Sequence, residues 1–217
     1  MNFINTHLGG HAITLSGVRK LISHSPISPN RQHVICEIGC GGGDNLKAIA
    51  SWCKKNNIDA SFLGIDINSD CLEIAREACK SLSATFIHSD YKVVHFSFQP
   101  SIIFSSLFCH HFSNEDLVGM LKWMSRNSSL GFFINDLHRH RIAYYSIKSL
   151  SRLFSQSYLV KNDAPLSVAR GFTKKEWLLL LNTAKIQNFS IKWKWAFRWL
   201  VVVRNEYESS SLQMQSQ

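Results

Sequence analysis

Five short apolar runs along residues 33–136 limit the fold more than any other feature of this chain: HVICEI, SFLGIDI, ATFIHSD, SIIFSSLF and LGFFIND. Helical patterns stand between most of them: DNLKAIASW after the first, SDCLEIAREACKSL after the second and NEDLVGMLKWMSRN after the fourth. Apolar strands alternating with helices build a parallel sheet, with right-handed crossovers and helices on both faces. TKKEWLLLLNTA supplies a later helix, and FSIKWKWAFRWLVVVR reads as a closing hairpin. The expected fold class is α/β: a doubly wound, mostly parallel seven-stranded sheet with an antiparallel final strand.

The punctuation of the chain divides it. Gly9-Gly10 precede a short helix expected around Ala12 to Ile22, and Pro26 and Pro29 follow it. Residues 1–30 are read as an N-terminal segment and 31–204 as the main domain. The regular alternation pauses near 137–172, read as a lid-like insertion. Within it, Ile142, Tyr145, Ile147, Leu150, Leu153 and Phe154 recur at helical spacing. The tail from 205 to 217, ending SSSLQMQSQ, has little to pack and is expected to be disordered.

Composition removes several classes of function. The six cysteines form no C-x-x-C pair, so reduced thiols are expected and no metal site. No apolar run approaches the roughly 18 residues of a membrane span. The first residues lack the basic start and apolar core of a secretory signal, so a soluble, cytoplasmic protein is expected. The net charge of +9 could attract nucleic acid, but Lys and Arg are spread along the chain rather than gathered into long clusters. A positively charged surface is the simpler reading, and a nucleic-acid partner is disfavoured.

The stretch EIGCGGGDN, residues 37–45, carries the chemistry. A glycine-rich turn between a first strand and a helix lets a ligand lie against backbone N–H groups. The G-x-G-x-x-G dinucleotide pattern fits imperfectly, since Asp44 stands where the third glycine belongs, and no Gly-Lys-Ser/Thr of a P-loop follows. Glu37 would repel a pyrophosphate and favours a ligand with positive charge. S-adenosylmethionine, with an ammonium, a sulfonium and a nucleoside, meets that description. Asp66 closes the second strand a little over 20 residues beyond Gly43, where a carboxylate can accept hydrogen bonds from both ribose hydroxyls. Asn68 or Ser69 is better placed than Asp66 to cap the next helix.

Taken together, EIGCGGG, GIDIN, HSD and FSSLFCHHF resemble class I S-adenosylmethionine-dependent methyltransferases over roughly residues 32 to 204. The similarity is greatest to small-molecule enzymes of the ubiquinone/menaquinone-biosynthesis type, and it implies their Rossmann-like fold. It also implies that Gly39, Cys40, Gly41 and Gly43 meet the methionine part of the cofactor, with Glu37 behind them. Asp66 would hold the ribose, Ile67 would lie against adenine, and Asp90 would face the adenine amino group with Ser89 and Tyr91 beside it.

The acceptor is less constrained. The Asn/Asp-Pro-Pro-aromatic signature of enzymes that methylate base or glutamine nitrogens is replaced here by SLFCHHFS. A small aromatic or lipophilic acceptor with a phenol-type oxygen is expected. An RNA-modifying methyltransferase and, further off, a nicotinamide-dependent oxidoreductase are the alternatives. His110 and His111 follow the fourth strand, at the sheet edge where such folds bind ligands, and either could take a proton from a phenol. In NDLHRH, Asp136 and His138 could form an oriented acid–imidazole pair, with Arg139 and Arg141 holding an acidic substrate; the same stretch could equally be a capped helix start. Tyr144, Tyr145 and Phe154 could line a lid, and Thr6, His7, Gly9, Gly10 and His11 could fold over the cofactor.

Overall fold

The computed structural model describes residues 9–23, 32–154 and 165–205, with side chains of the second stretch described through Ser149. Strand β1 (His33–Ile38) leads into helix α2 (Asp44–Lys55), which follows the N-terminal helix α1 (Gly10–Ile22). Next come β2 (Ala60–Asp66), α3 (Ser69–Ala78), β3 (Ala84–His88) and β4 (Ile102–Ser106). Helix α4 (Asn114–Asn127), β5 (Gly131–Leu137) and α5 (Arg141–Phe154) follow, and α6 (Lys174–Thr183), β6 (Phe189–Lys194) and β7 (Arg198–Arg204) close the fold. The seven strands lie in one sheet of order β3-β2-β1-β4-β5-β7-β6. β1 to β5 pair in parallel, and β7 runs antiparallel to both β5 and β6. This is the architecture expected from the alternation. Among the described residues no helix is long and apolar enough to cross a membrane.

Local chemistry explains where the helices begin. Asn68 caps α3, its side chain accepting the Cys71 N–H at 3.1 Å. Ser113 caps α4 by accepting the Asp116 N–H, with Glu115 and Asp116 set against the positive end of the helix dipole. Thr173 and Glu176 form a reciprocal capping box at the start of α6.

Two cores flank the sheet. On one face Met120, Met124, Phe132, Ile134, Trp177, Leu181 and Val201 join α4 and α6 to the strands. On the other, Val18, Leu46, Ile49, Phe104, Phe133 and Leu200 join α1 and α2 to it. Each fully buried side chain of this size contributes roughly 1.5–3 kcal/mol. Gly17 lets α1 approach closely, because a Cβ there would stand 2.5 Å from the Phe133 ring. On α5, by contrast, Ile142 and Tyr145 of the expected apolar stripe are exposed.

Candidate active site

The glycine turn leaves β1 with Gly39, Gly41 and Gly43 at φ of 68°, 50° and 77°, left-handed conformations in which a side chain is strained. The Gly39 N–H bonds to Ile65 O at 2.8 Å, so the turn grows directly out of the β1–β2 pairing. The Gly41 N–H donates to Asp66 Oδ2 at 2.8 Å, joining the two sequence motifs physically. Asp66 Oδ1 accepts the Asn68 N–H at 2.9 Å, which aims the carboxylate over the C-terminal edge of the sheet. Cys40 is buried beneath the turn, and burial pushes its thiol upward in pKa, so it behaves as a small apolar filler.

Glu37 is buried on the α1–α2 side of β1. Its Oε1 accepts the Asn45 Nδ2–H at 2.7 Å, and its Oε2 has no hydrogen-bond partner among the described residues. Burial raises the carboxyl well above its ordinary value, and the Asn45 bond offsets part of that rise. Asn45 in turn has its Oδ1 3.1 Å from His11 Nδ1. The N-terminal helix is thereby tied to the acid behind the glycine turn. A group that neutralises Glu37, or a cation beside Oε2, would complete this set.

Beyond β3, Asp90 accepts the Lys92 N–H at 2.9 Å and caps a 3-10 turn at Tyr91–Val93. Ser89 and Ile67 stand at the same edge, Ile67 exposed. Tyr91 departs from the expectation that it stands beside the ligand. Its ring turns into the core against Trp123, with centroids 5.2 Å apart. Only its backbone remains at the edge.

After β4 the chain bends sharply. Leu107 takes φ of 54° and donates its N–H to Asn135 O at 2.9 Å. The bend throws Phe108 over the glycine turn, so closely that a Cβ on Gly39 would stand 2.3 Å from its ring. His110 follows, with Nδ1 2.8 Å from Asp136 Oδ1. Asp136 also accepts the Cys109 N–H at 2.7 Å on Oδ2 and the Leu137 N–H at 2.7 Å on Oδ1. A carboxylate surrounded by donors is acceptor-only, so His110 Nδ1 carries the hydrogen, and in the neutral ring the lone pair stands on Nε2. Nε2 is buried and has no partner among the described residues. His111 packs on His110 with ring centroids 4.2 Å apart; burial and then the neighbouring His110 lower its pKa, favouring the neutral ring.

Two sequence expectations about the fifth strand need correction. Asp136 pairs with His110 rather than with His138, because it lies in the strand facing the β4 loop and is not a helix cap. His138 packs instead against Trp199 and His140, at 4.9 and 5.5 Å between centroids, and burial lowers its pKa. Arg139 is ion-paired to Glu176 of the α6 capping box, so it is not held out for a substrate. Past His138, His140 stacks on Phe197 at 5.3 Å, and Trp193 meets Phe197 edge-on at 6.1 Å. This aromatic group sits at the β6–β7 turn, where Ala196 and Phe197 both have positive φ, and the adjoining Trp195 is 75% exposed.

Asn45, Phe108 and Arg198 were not singled out by sequence. Asn45, next to Asp44 in the first turn of α2, carried the best available signal, a polar residue one position inside an amphipathic helix. Of the N-terminal candidates, Thr6 and His7 lie outside the described residues, and so does the side chain of Phe154.

Residues 35–129 match the profile of a family described as "Methyltransferase domain". Among curated proteins no sequence matches. Solved structures share the fold over nearly the whole chain. The plantazolicin methyltransferase BpumL, solved with SAH and a pentazolic desmethylPZN analog, has 17% identity and a TM-score of 0.69, covering 94% of this chain and 89% of that one. The magnesium protoporphyrin IX methyltransferase ChlM from Synechocystis PCC 6803, solved with SAM, has 14% identity and a TM-score of 0.60, covering 94% and 85%. At these identities the likeness establishes the fold. Residues 35–129 thus match a methyltransferase domain, and nearly the whole chain shares the Rossmann-like fold of these S-adenosylmethionine- and S-adenosylhomocysteine-bound methyltransferases.

Proposed function

We propose that the chain transfers the methyl group of S-adenosylmethionine to a phenol-type oxygen of a small aromatic or lipophilic acceptor. The observation that carries this reading is the buried Asp136–His110 pair, whose free Nε2 lone pair suits the proton of a weakly acidic hydroxyl. The cofactor supplies an electrophilic methyl group on sulfonium. The residues fit it: Gly39, Gly41 and Gly43 leave backbone room for the methionine part, and Glu37 brings an unpaired carboxylate oxygen to its cationic end. Asp66 retains acceptor capacity on both oxygens for the ribose hydroxyls. Ile67, Ser89 and Asp90 then border the adenine.

His110 holds the acceptor hydroxyl, takes its proton on Nε2 and shares the resulting charge with Asp136. Burial of Nε2 keeps bulk water from competing for the lone pair. His111, kept neutral, adds a second ring beside it. His138, His140, Phe197 and Trp193 offer aromatic faces to the acceptor body, with α5 as a cover. One neighbour is a magnesium protoporphyrin IX methyltransferase and the other was solved with a pentazolic desmethylPZN analog, and both agree with a planar acceptor.

Calorimetric titration with S-adenosylmethionine, S-adenosylhomocysteine and NADPH, repeated with Asp66→Ala, tests the cofactor. Saturable binding of the two S-adenosyl ligands, lost in the variant, is expected; NADPH binding alone would overturn the reading. Methyl transfer to a panel of phenols then tests the acceptor class. A second reading, an acceptor carried on RNA, draws on Lys20, Lys192, Lys194 and Arg204, close enough that the other three help lower the Lys20 pKa after burial. Steeply salt-dependent binding of a single-stranded RNA would favour it.

A further inference from the structure

Arg198, the first residue of β7, is only 2% exposed, yet its Nε and Nη1 have no hydrogen-bond partner among the described residues. Buried guanidinium N–H groups left without partners are costly, and native structures keep such groups for an ionic or hydrogen-bonded role. Nη2 is shared by the two forked edges of a guanidinium, so each edge carries at least one open N–H. Burial draws the Arg198 pKa down to about 10, with Asp136 opposing the fall. The group stays a cation at neutral pH.

Its place is defined by register. Leu137 pairs with Arg198 and Asn135 with Leu200 across β5 and β7. Strand alternation puts Arg198 on the face of Leu200, which packs with α1. On that face Asn135 Nδ2 donates to Gly10 O at 3.3 Å, so the N-terminus of α1 stands at the same edge. Gly9 heads α1 in a left-handed conformation, with no side-chain cap and no acid in the first turn. The positive end of the helix and the open guanidinium thus share one face of the sheet at the C-terminal end of β5. There Asn135 O accepts the Leu107 N–H of the loop that leads to His110, and Asp136 lies on the opposite face.

We propose that Arg198 and the α1 N-terminus form an anion subsite that takes a carboxylate carried by the methyl acceptor. This deepens the methyltransferase reading and rests on it. The carboxylate accepts N–H bonds from one edge of the fork, and its orientation turns the acceptor hydroxyl toward His110. Arg139, which sequence put forward for an acidic substrate, is engaged by Glu176.

Thermal unfolding of the full chain in sodium benzoate, against sodium chloride at equal ionic strength, tests the subsite. Benzoate is expected to raise Tm of the wild type and to leave Arg198→Met unmoved, while Arg198→Met without benzoate unfolds no lower than the wild type. Arg198→Lys, which keeps the charge and loses the fork, should bind benzoate roughly tenfold more weakly. An Arg198→Met protein that unfolds lower and a wild type blind to benzoate would mean that the chain satisfies its own guanidinium, and would overturn the proposal. Equal benzoate responses in wild type and variants would do the same, and a response to inorganic phosphate but not to benzoate would overturn the carboxylate. Titration of each protein with S-adenosylhomocysteine keeps the two readings apart. A wild type that responds to benzoate but does not bind S-adenosylhomocysteine fails as a methyltransferase while retaining the anion site.

Discussion

His110 Nδ1 lies 2.8 Å from Asp136 Oδ1, and both side chains are buried at the end of the β4–β5 pairing. The carboxylate takes backbone N–H bonds from Cys109 and Leu137 as well, so it cannot turn away from the ring. Asp136→Asn would offer an N–H to Nδ1 and stabilise the tautomer with the hydrogen on Nε2. We expect kcat to fall roughly 10²–10⁴-fold in Asp136→Asn and in His110→Gln. Binding of S-adenosylhomocysteine should be retained. Steady-state kinetics with a phenol that the wild type methylates checks this, and an unchanged kcat in His110→Gln would sink the base role.

Glu37 gives a pH dependence of definite sign. Its folded pKa is raised by burial, so its stabilising contribution is present in acid and is lost as pH rises through the folded value. Glu37→Gln, neutral at every pH, should match the wild type in Tm near about pH 4 and exceed it near about pH 8 when no ligand is present. Affinity for the cationic S-adenosylmethionine should fall in the same variant. Parallel melting curves across this range are sufficient, and a Tm gap that does not widen with pH would refute the assignment.

The glycines of the turn are not equivalent. Gly39→Ala meets the Phe108 ring at 2.3 Å in a left-handed conformation, whereas Gly41→Ala meets nothing within 4 Å. Gly41→Ala should therefore cost only the conformational strain, about 1–2 kcal/mol. Gly39→Ala should cost more, because Phe108 must move as well. Denaturant titration of the two variants distinguishes them, and equal losses would mean that Phe108 yields freely.

Arg139→Ala removes an ion pair with Glu176 that is partly exposed on both sides. Such pairs contribute about 0–1 kcal/mol, so stability should change little. KM for an acidic acceptor should be unchanged, whereas a large rise would return Arg139 to the substrate site.

The strands and most helices were legible because their signals are local. Apolar periodicity marked β1 to β5, α2 to α4 and the closing hairpin, and Asn68 and Ser113 start their helices as cap chemistry dictates. The glycine turn and Asp66 were legible for a related reason, a fixed spacing within one βαβ unit. Pairings across the sheet were not. Asp136 and His138 are neighbours in sequence, but strand alternation and the bend at Leu107 bring His110 to the carboxylate from 26 residues away. Tyr91 turned inward because Trp123 of α4 provides an apolar seat, a partner that no local pattern reveals. Arg198 follows a turn rich in aromatics, and only tertiary burial distinguishes it from a surface arginine.

Among the described residues helix α1 is made before the other helices, yet part of what it rests on is made late. Ile13, Val18 and Leu21 share a core with Leu200 and Val202, and Thr14 receives its hydrogen bond from Asn135. During synthesis helix α2 is available early, but the part of α1 that meets Asn135 must wait for a strand more than 120 residues downstream. Closing so long a loop is an entropic cost met only after β5 and β7 have paired. The seating of α1 then brings His11 to Asn45, so the contact that backs the Glu37–Asn45 bond is completed only when the first helix docks. A nascent chain cut before β7 should accordingly hold a formed glycine turn and an unseated first helix.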